Sequence, residues 1–240
     1  MLQNEILFFI SLILIFSAVL FAHKVFGKQG LFAIISMLII LANIEVSCQV
    51  NMFGFKDGWV TLGNVAFAAI FLATDILNEC YSYKDSKKAV HIAAAVIVLF
   101  LGLIQLDLLF KPASDSFMHD TLKTYFGLDS VFVWVALSSV VCFYLANLLD
   151  VWLFNKMRSK TGAKKLWVRN NVATIVATCT ENFLLFFLGY YLLPMTFNGS
   201  AIINIEMVMM MGAAASLIEI LVSLLDTPFV YLARRLKTEK

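Results

Sequence analysis

The chain has 240 residues, of which 61% are hydrophobic and only 14% charged, and its mean hydropathy is +0.88. A water-soluble fold cannot hide that much apolar surface, which excludes a soluble globular protein. A net charge of +2 is also too small to mark a nucleic-acid binder, so the lipid bilayer is the expected surrounding and no nucleic acid the expected partner.

A bilayer core of about 30 Å requires about 20 apolar residues per helix. Stretches that long run over 5–22, 31–50, 60–79, 89–109, 131–154, 170–193 and 202–232. They are apolar all round rather than alternating, which predicts helices and not an outer-membrane barrel. The expected fold is an all-α, polytopic integral membrane bundle of about seven transmembrane helices. The connections are short, so residues 1–240 are expected to form a single transmembrane domain. No Lys or Arg precedes the first stretch, only Glu5, so 5–22 is expected to be a retained span rather than a signal peptide.

Orientation follows from the basic residues. Lys24 and Lys28, Lys84, Lys87 and Lys88, the run from Lys156 to Arg169, and Arg234, Arg235, Lys237 and Lys240 fall on one side; only Lys56, Lys111 and Lys123 fall on the other. That is 15 of the 18 basic residues, and the positive-inside rule predicts an outside N-terminus and a cytoplasmic C-terminus. The same count places no Lys or Arg within a span, so the acids inside the spans are expected to lack fixed cationic partners.

Glu181 lies near the middle of the sixth span and Glu219 near the middle of the seventh, where an ionised carboxylate needs water, a partner or a proton. They either pack as protonated acids against neighbouring helices or face a cavity. Asp75 with Glu79, Asp150 and Asp226 sit at matching depths near the cytoplasmic ends of three helices, where the macrodipole disfavours negative charge. Two readings offset that cost. The acids pair with nearby basic groups such as Lys84, Lys156 or Arg234, or they line a shared inner gate or substrate exit. Asn43, Asn64, Asn78, Asn147, Asn170, Asn171 and Asn182 also lie within or at the ends of spans and need partners there. Asn and Glu together can read the hydrogen-bonding edge of a planar heterocycle, a carboxylate accepting two N–H bonds from a guanine-like amidine edge. The small residues Gly212 to Ser216 are expected to let the last helix pack closely.

Missing motifs prune the function classes. There is no G-x-x-x-x-G-K-[ST] loop for ATP, no G-x-S-x-G or H-E-x-x-H, and no lysine in the last span for a retinal Schiff base. No catalytic residue, metal site or cofactor is expected, and an enzyme is not the expected class. Cys48, Cys80, Cys142 and Cys179 lack C-x-x-C spacing and are expected to be buried thiols.

Several stretches carry a family resemblance. They are Thr61-Leu-Gly-Asn64, Phe71-Leu-Ala-Thr-Asp75-Ile-Leu-Asn-Glu79, Lys87-Lys-Ala-Val90, Leu149-Asp-Val-Trp-Leu-Phe154, Leu166-Trp-Val-Arg-Asn-Asn171 and Leu225-Asp-Thr-Pro-Phe-Val-Tyr-Leu-Ala-Arg-Arg235. From about residue 5 to 237 the chain resembles the queuosine precursor transporter family, also grouped with vitamin uptake transporters. The resemblance implies inner-membrane uptake of deazaguanine-type bases: cyano-deazaguanine, aminomethyl-deazaguanine or queuine. It points to Asn64, Asp75, Glu79, Asp150, Asn171, Thr174, Thr178, Glu181, Glu219 and Asp226 as candidate substrate-binding residues. Departures concentrate in the last two spans. Where the family continues Gly-Ser-Thr after the asparagine pair this chain has Val172-Ala-Thr174, its later acid is Glu181, and Glu219 stands where a lysine is usual.

Two function classes remain. One is a carrier for the deazaguanine base, or for another small planar heterocycle or vitamin; the other is a non-transport membrane protein, either an accessory or assembly subunit or an enzyme without a recognised motif. A homodimer and a separate energising module both stay open as partners.

Overall fold

The structure is a computed structural model that describes residues 2–46, 48–113, 116–128, 130, 133–162 and 164–238, without the side chains of 2, 56–59 and 237–238. Of the basic residues counted above, Lys56, Lys237 and Lys240 therefore lie outside the described side chains, as do residues 131–132 that open the expected fifth span.

Helix α1, Leu2–Glu45, is two helices joined at Gly27, whose φ of 63° and ψ of −141° only glycine adopts without strain. The break folds the chain back on itself. At one end Asn4 donates to the Asn51 carbonyl at 2.9 Å and the Phe53 amide donates to Glu5 at 2.8 Å, beside the residues that follow α1. At the other end Lys28 reaches Asp85 at 3.0 Å and His23 lies 3.1 Å from the Ala233 carbonyl. Gly30 permits the tight return, since a Cβ there would stand 2.4 Å from the Ala22 carbonyl oxygen. Gly27→Ala is expected to lower the melting temperature in detergent, by an amount corresponding to about 1–3 kcal/mol of backbone strain. Its Cβ would meet only the Tyr81 hydroxyl at 3.4 Å, so an unchanged midpoint would mean that the turn tolerates an L residue.

The second expected span, 31–50, ends earlier than its apolar run. Residues Gln49–Met52 (β1) and Phe55–Thr61 (β2) form an antiparallel hairpin across Phe53 and Gly54, both at positive φ. A two-residue turn with positive φ at both positions matches the twist of paired strands, and X-Gly was its only mark in the sequence. Cys48, next to the hairpin, is exposed and not the buried thiol expected; all four cysteines are free.

Helix α2, Gly63–Cys80, is buried along its whole length. It packs among α1, α3 (Tyr83–Asp107), α5 (Val133–Thr161) and α8 (Ile205–Thr238). A helix that meets protein rather than lipid can carry Asn64, Asp75, Asn78 and Glu79, whereas the outer helices point Leu14, Leu99 and Leu217 outward. A short helix, α4 (Phe117–Phe126), lies in the connection between α3 and α5.

Helix α6, Leu166–Leu185, starts before the predicted 170 and runs on as a π-helical turn, Phe186–Leu192, into α7, Leu193–Asn198. Pro194 has no N–H for the Tyr190 carbonyl four residues back, and the Ile202 amide supplies that bond at 2.8 Å. Small residues bring α6 and its continuation close to both neighbours. A Cβ at Gly189 would stand 3.0 Å from Val135 Cα on α5, and one at Gly212 on α8 would stand 2.8 Å from the Phe183 ring.

Among the described residues, five helices are long and apolar enough to cross a membrane: Gln3–Glu45, Tyr83–Asp107, Val133–Thr161, Leu166–Asn198 and Ile205–Leu236. The first contains the Gly27 break.

Candidate functional site

A polar seam runs through the bundle. On α6, Asn170, Thr174, Thr178 and Glu181 recur at helical spacing and so share one face. Glu219 and Asp226 on α8 lie two turns apart, about 10 Å along the helix axis at 1.5 Å per residue. The acids fall into three groups along this seam.

The first group is the ion-paired node at the end carrying most of the basic residues. Glu79 Oε2 accepts from Arg169 Nη2 at 2.6 Å, while Arg158 and Arg234 approach the same carboxylate at 3.9 and 3.6 Å. Arg169 is the largest fully buried side chain. It corrects the expectation that no cation enters the spans and that the acids lack cationic partners. The apolar-run boundary placed it in a loop, but it lies in the first turn of α6, where α2 supplies a counter-charge. Its Nη1 donates to the Gly162 and Lys164 carbonyls at 2.9 and 3.0 Å, its Nε–H is buried without a partner, and its guanidinium lies over Phe154. The basic-group pairing considered for Glu79 is thus realised with Arg234, and with Arg169 and Arg158 in place of Lys84 and Lys156. Lys156 instead stacks on Trp152. The node ties α2, α5, α6 and α8 together.

The second group joins Asp75, Asp150 and Asp226, from α2, α5 and α8, around α6. Thr174 Oγ1 lies 3.3 Å from Asp75 and 3.2 Å from Asp150, and Asn170 Nδ2 donates to Asp226 at 2.7 Å. Asn170 and Thr174 are one turn apart on α6, which sets Asp226 beside the Asp75–Asp150 pair. Asn171 bonds Thr227 at 2.7 Å and the Trp167 carbonyl at 2.8 Å, so it joins α6 to α8 beside the cluster.

The third group is at mid-depth. Both oxygens of Glu219 are engaged, by Asn64 Nδ2 at 3.0 Å and Asn182 Nδ2 at 2.8 Å. Asn64 is oriented in turn because its Oδ1 accepts from the Thr61 amide and hydroxyl. Glu181 is buried next to Glu219 and its Oε2 has no partner within the chain. Thr178 lies on the same face of α6 and bonds back to the Ile175 carbonyl at 3.3 Å. A cavity of about 350 Å³ opens at the hairpin end, lined in part by Asn4, Glu45, Met52, Leu62 and Val65, the last two flanking the Gly63–Asn64 pair.

All ten candidate residues therefore lie in the seam, but in distinct groups: Glu79 in the ion-paired node, Asp75, Asp150, Asp226, Thr174 and Asn171 in or beside the aspartate cluster, and Asn64, Thr178, Glu181 and Glu219 at mid-depth. The sequence reading left Asn170, Asn182 and Arg169 out of the candidate set. Asn170, one turn before Thr174, could have been found from helical spacing; Arg169 could not, because its partner is 90 residues away.

An apolar exterior around a buried seam of acids and amides defines a multi-pass helical membrane protein. Residues 61–233 match the family described as "Putative vitamin uptake transporter". The "Probable queuosine precursor transporter" of Bacillus subtilis (strain 168) is 32% identical over 225 residues, covering 92% of this chain and 90% of the relative. The "Queuosine precursor transporter" of Escherichia coli (strain K12) is 22% identical over 172 residues, 72% of each chain. A Haemophilus influenzae relative of the same description as the B. subtilis protein is 29% identical over 143 residues, 59% of this chain and 55% of the relative. No solved structure matches. The chain belongs to the queuosine precursor transporter family.

Proposed function

We propose that this protein is an inner-membrane carrier that takes up queuosine precursors, and not an enzyme. The finer reading is a deazaguanine-type base: cyano-deazaguanine, aminomethyl-deazaguanine or queuine. One observation carries it, the mid-depth group in which Glu181 presents a buried, unpartnered oxygen beside the Asn64–Glu219–Asn182 bridge. A carboxylate so placed can accept paired N–H donors of an amidine edge, and the locked asparagines hold its neighbour in position. On this reading the ion-paired node around Glu79 closes the basic end of the path and the solute enters from the hairpin end. The test uses a host that lacks both precursor synthesis and its own precursor carrier. Expressing this chain should restore queuosine in tRNA when a precursor is supplied, and uptake of labelled precursor should rise with it. No restoration with any of the three precursors would sink the reading and favour another small heterocycle.

The single domain 1–240 is proposed to cross the membrane about seven times. The Gly27 break turns α1 into two spans and α2 adds one that faces only protein. With the basic end inside, the N-terminus is outside and the C-terminus cytoplasmic. Reporters fused after Lys240 or within 156–169 should read cytoplasmic, and reporters within 112–128 external. An external signal from 156–169 would overturn both count and orientation.

A further inference from the structure

We propose that Asp75 and Asp150 at Thr174, with Asp226 one turn away at Asn170, form a proton-binding station that couples solute uptake to proton entry. The inference rests on the carrier reading for its coupling role, but its chemistry is independent of the solute.

The geometry at Thr174 has room for one more hydrogen than the side chains supply in their charged forms. A hydroxyl has one hydrogen, yet Thr174 Oγ1 lies within hydrogen-bond distance of Asp75 Oδ2 and of Asp150 Oδ1, at 3.3 and 3.2 Å. Shared between two carboxylates, that hydrogen makes two long, weak bonds. A proton on one carboxyl lets that acid donate to Thr174 while Thr174 donates to the other, so each contact has its own hydrogen.

The atoms without partners point the same way. Asp75 Oδ1, Asp150 Oδ2, Asn147 Oδ1 and Asn170 Oδ1 are buried with no donor in reach. Asn170 is aimed into the cluster, because its Nδ2 donates to Asp226. Asn147 lies one turn before Asp150 on the same face of α5. All four are acceptors, and O–H groups on the carboxyls are hydrogens the cluster can supply; the one unpartnered donor nearby, Arg169 Nε–H, belongs to the node.

The arginines carried by the same helices are engaged by another acid. From α2, α5, α6 and α8 come Glu79, Arg158, Arg169 and Arg234, and the three arginines converge on Glu79. From α1 and α3 come His23, held between Ala233 and Tyr81, and the Lys28–Asp85 pair. Toward mid-depth Glu181 and Glu219 add only negative charge. Three ionised carboxylates without a cation in such a place would each cost several kcal/mol. Among the described residues no three His, Cys, Asp or Glu side chains converge closely enough to hold a metal ion, whereas a proton needs only the two carboxyls that flank Thr174.

Asp75 stands one turn before Glu79 on α2, and Asn170 follows Arg169 on α6. When a proton leaves toward the cytoplasm, the Asp75 carboxylate competes with Glu79 for Arg169 and loosens the node that closes that end. The proton balance is simple: it binds a carboxylate oxygen from the external side and departs to water inside.

Two measurements test the proposal. In proteoliposomes, an inward gradient of one pH unit should drive up to about tenfold accumulation of labelled aminomethyl- or cyano-deazaguanine, one proton per solute. Adding solute should also draw protons inward, and Asp75→Asn and Asp150→Asn should abolish both effects. Accumulation that follows a sodium gradient and ignores the proton gradient would overturn the proposal. Without any solute, infrared spectra of purified protein in nanodiscs at neutral pH should show a protonated carboxyl band that shrinks in Asp75→Asn or Asp150→Asn. A band unchanged in both, and in Asp226→Asn, would overturn it even if no carrier activity were found.

Discussion

Arg169→Met is expected to remove most of the folded protein from the membrane, with a loss of about 3–5 kcal/mol in stability. The change leaves Glu79 buried with only the longer approaches of Arg158 and Arg234, both partly exposed. It also removes the donors to the Gly162 and Lys164 carbonyls. Glu79→Gln should cost less, because Arg169 keeps those two carbonyls and an amide oxygen can replace one carboxylate contact. The double variant should be more stable than the sum of the two losses predicts, with a coupling of about 0.5–3 kcal/mol. Thermal unfolding in detergent of the four proteins completes the cycle. Strictly additive losses would show that the two side chains are not energetically joined, and the role of the node as a closure would fail with them.

Glu181→Gln is expected to weaken precursor binding by about one to two orders of magnitude, since hydrogen bonds to a charged group are worth about 1.5–3 kcal/mol. The substitution keeps the shape and exchanges a pure acceptor for an amide with its own donors. Stability should hardly change, because one oxygen of Glu181 has no partner to lose. Glu219→Gln should behave in the opposite way. Its new NH2 group must face the Nδ2 of Asn64 or Asn182, and Asn64 cannot turn over while its Oδ1 accepts from Thr61. Stability should fall by about 1–3 kcal/mol for the lost bond and the misplaced donor. Glu219→Lys puts a cation beside Glu181 and should change which precursor is preferred rather than abolish folding. Binding of cyano-deazaguanine, aminomethyl-deazaguanine and queuine to the three variants decides the matter. If all three bind like the unmodified protein, these acids are structural and the solute is held elsewhere.

The amino-acid sequence by itself determined the membrane class, the helical fold with the approximate place of its helices, and the family. Each rests on a property local to a segment: the length of an apolar run or a short motif. That Asp75, Asp150 and Asp226 share one level of the bundle was legible for the same reason, since level in a helix is position along it. Tertiary structure alone decided the partners. Arg169 reads as a loop cation until α2 brings Glu79 to 2.6 Å, and Glu219 reads as an unpaired acid until Asn64 and Asn182 converge on it from two other helices. The hairpin at 49–61 escaped the reading because its strands are short and bordered by apolar runs long enough to look like spans. In a bilayer the burial of an apolar run is set by its length, whereas a buried charge is satisfied by whichever helix packs against it. No property of the segment itself encodes that neighbour.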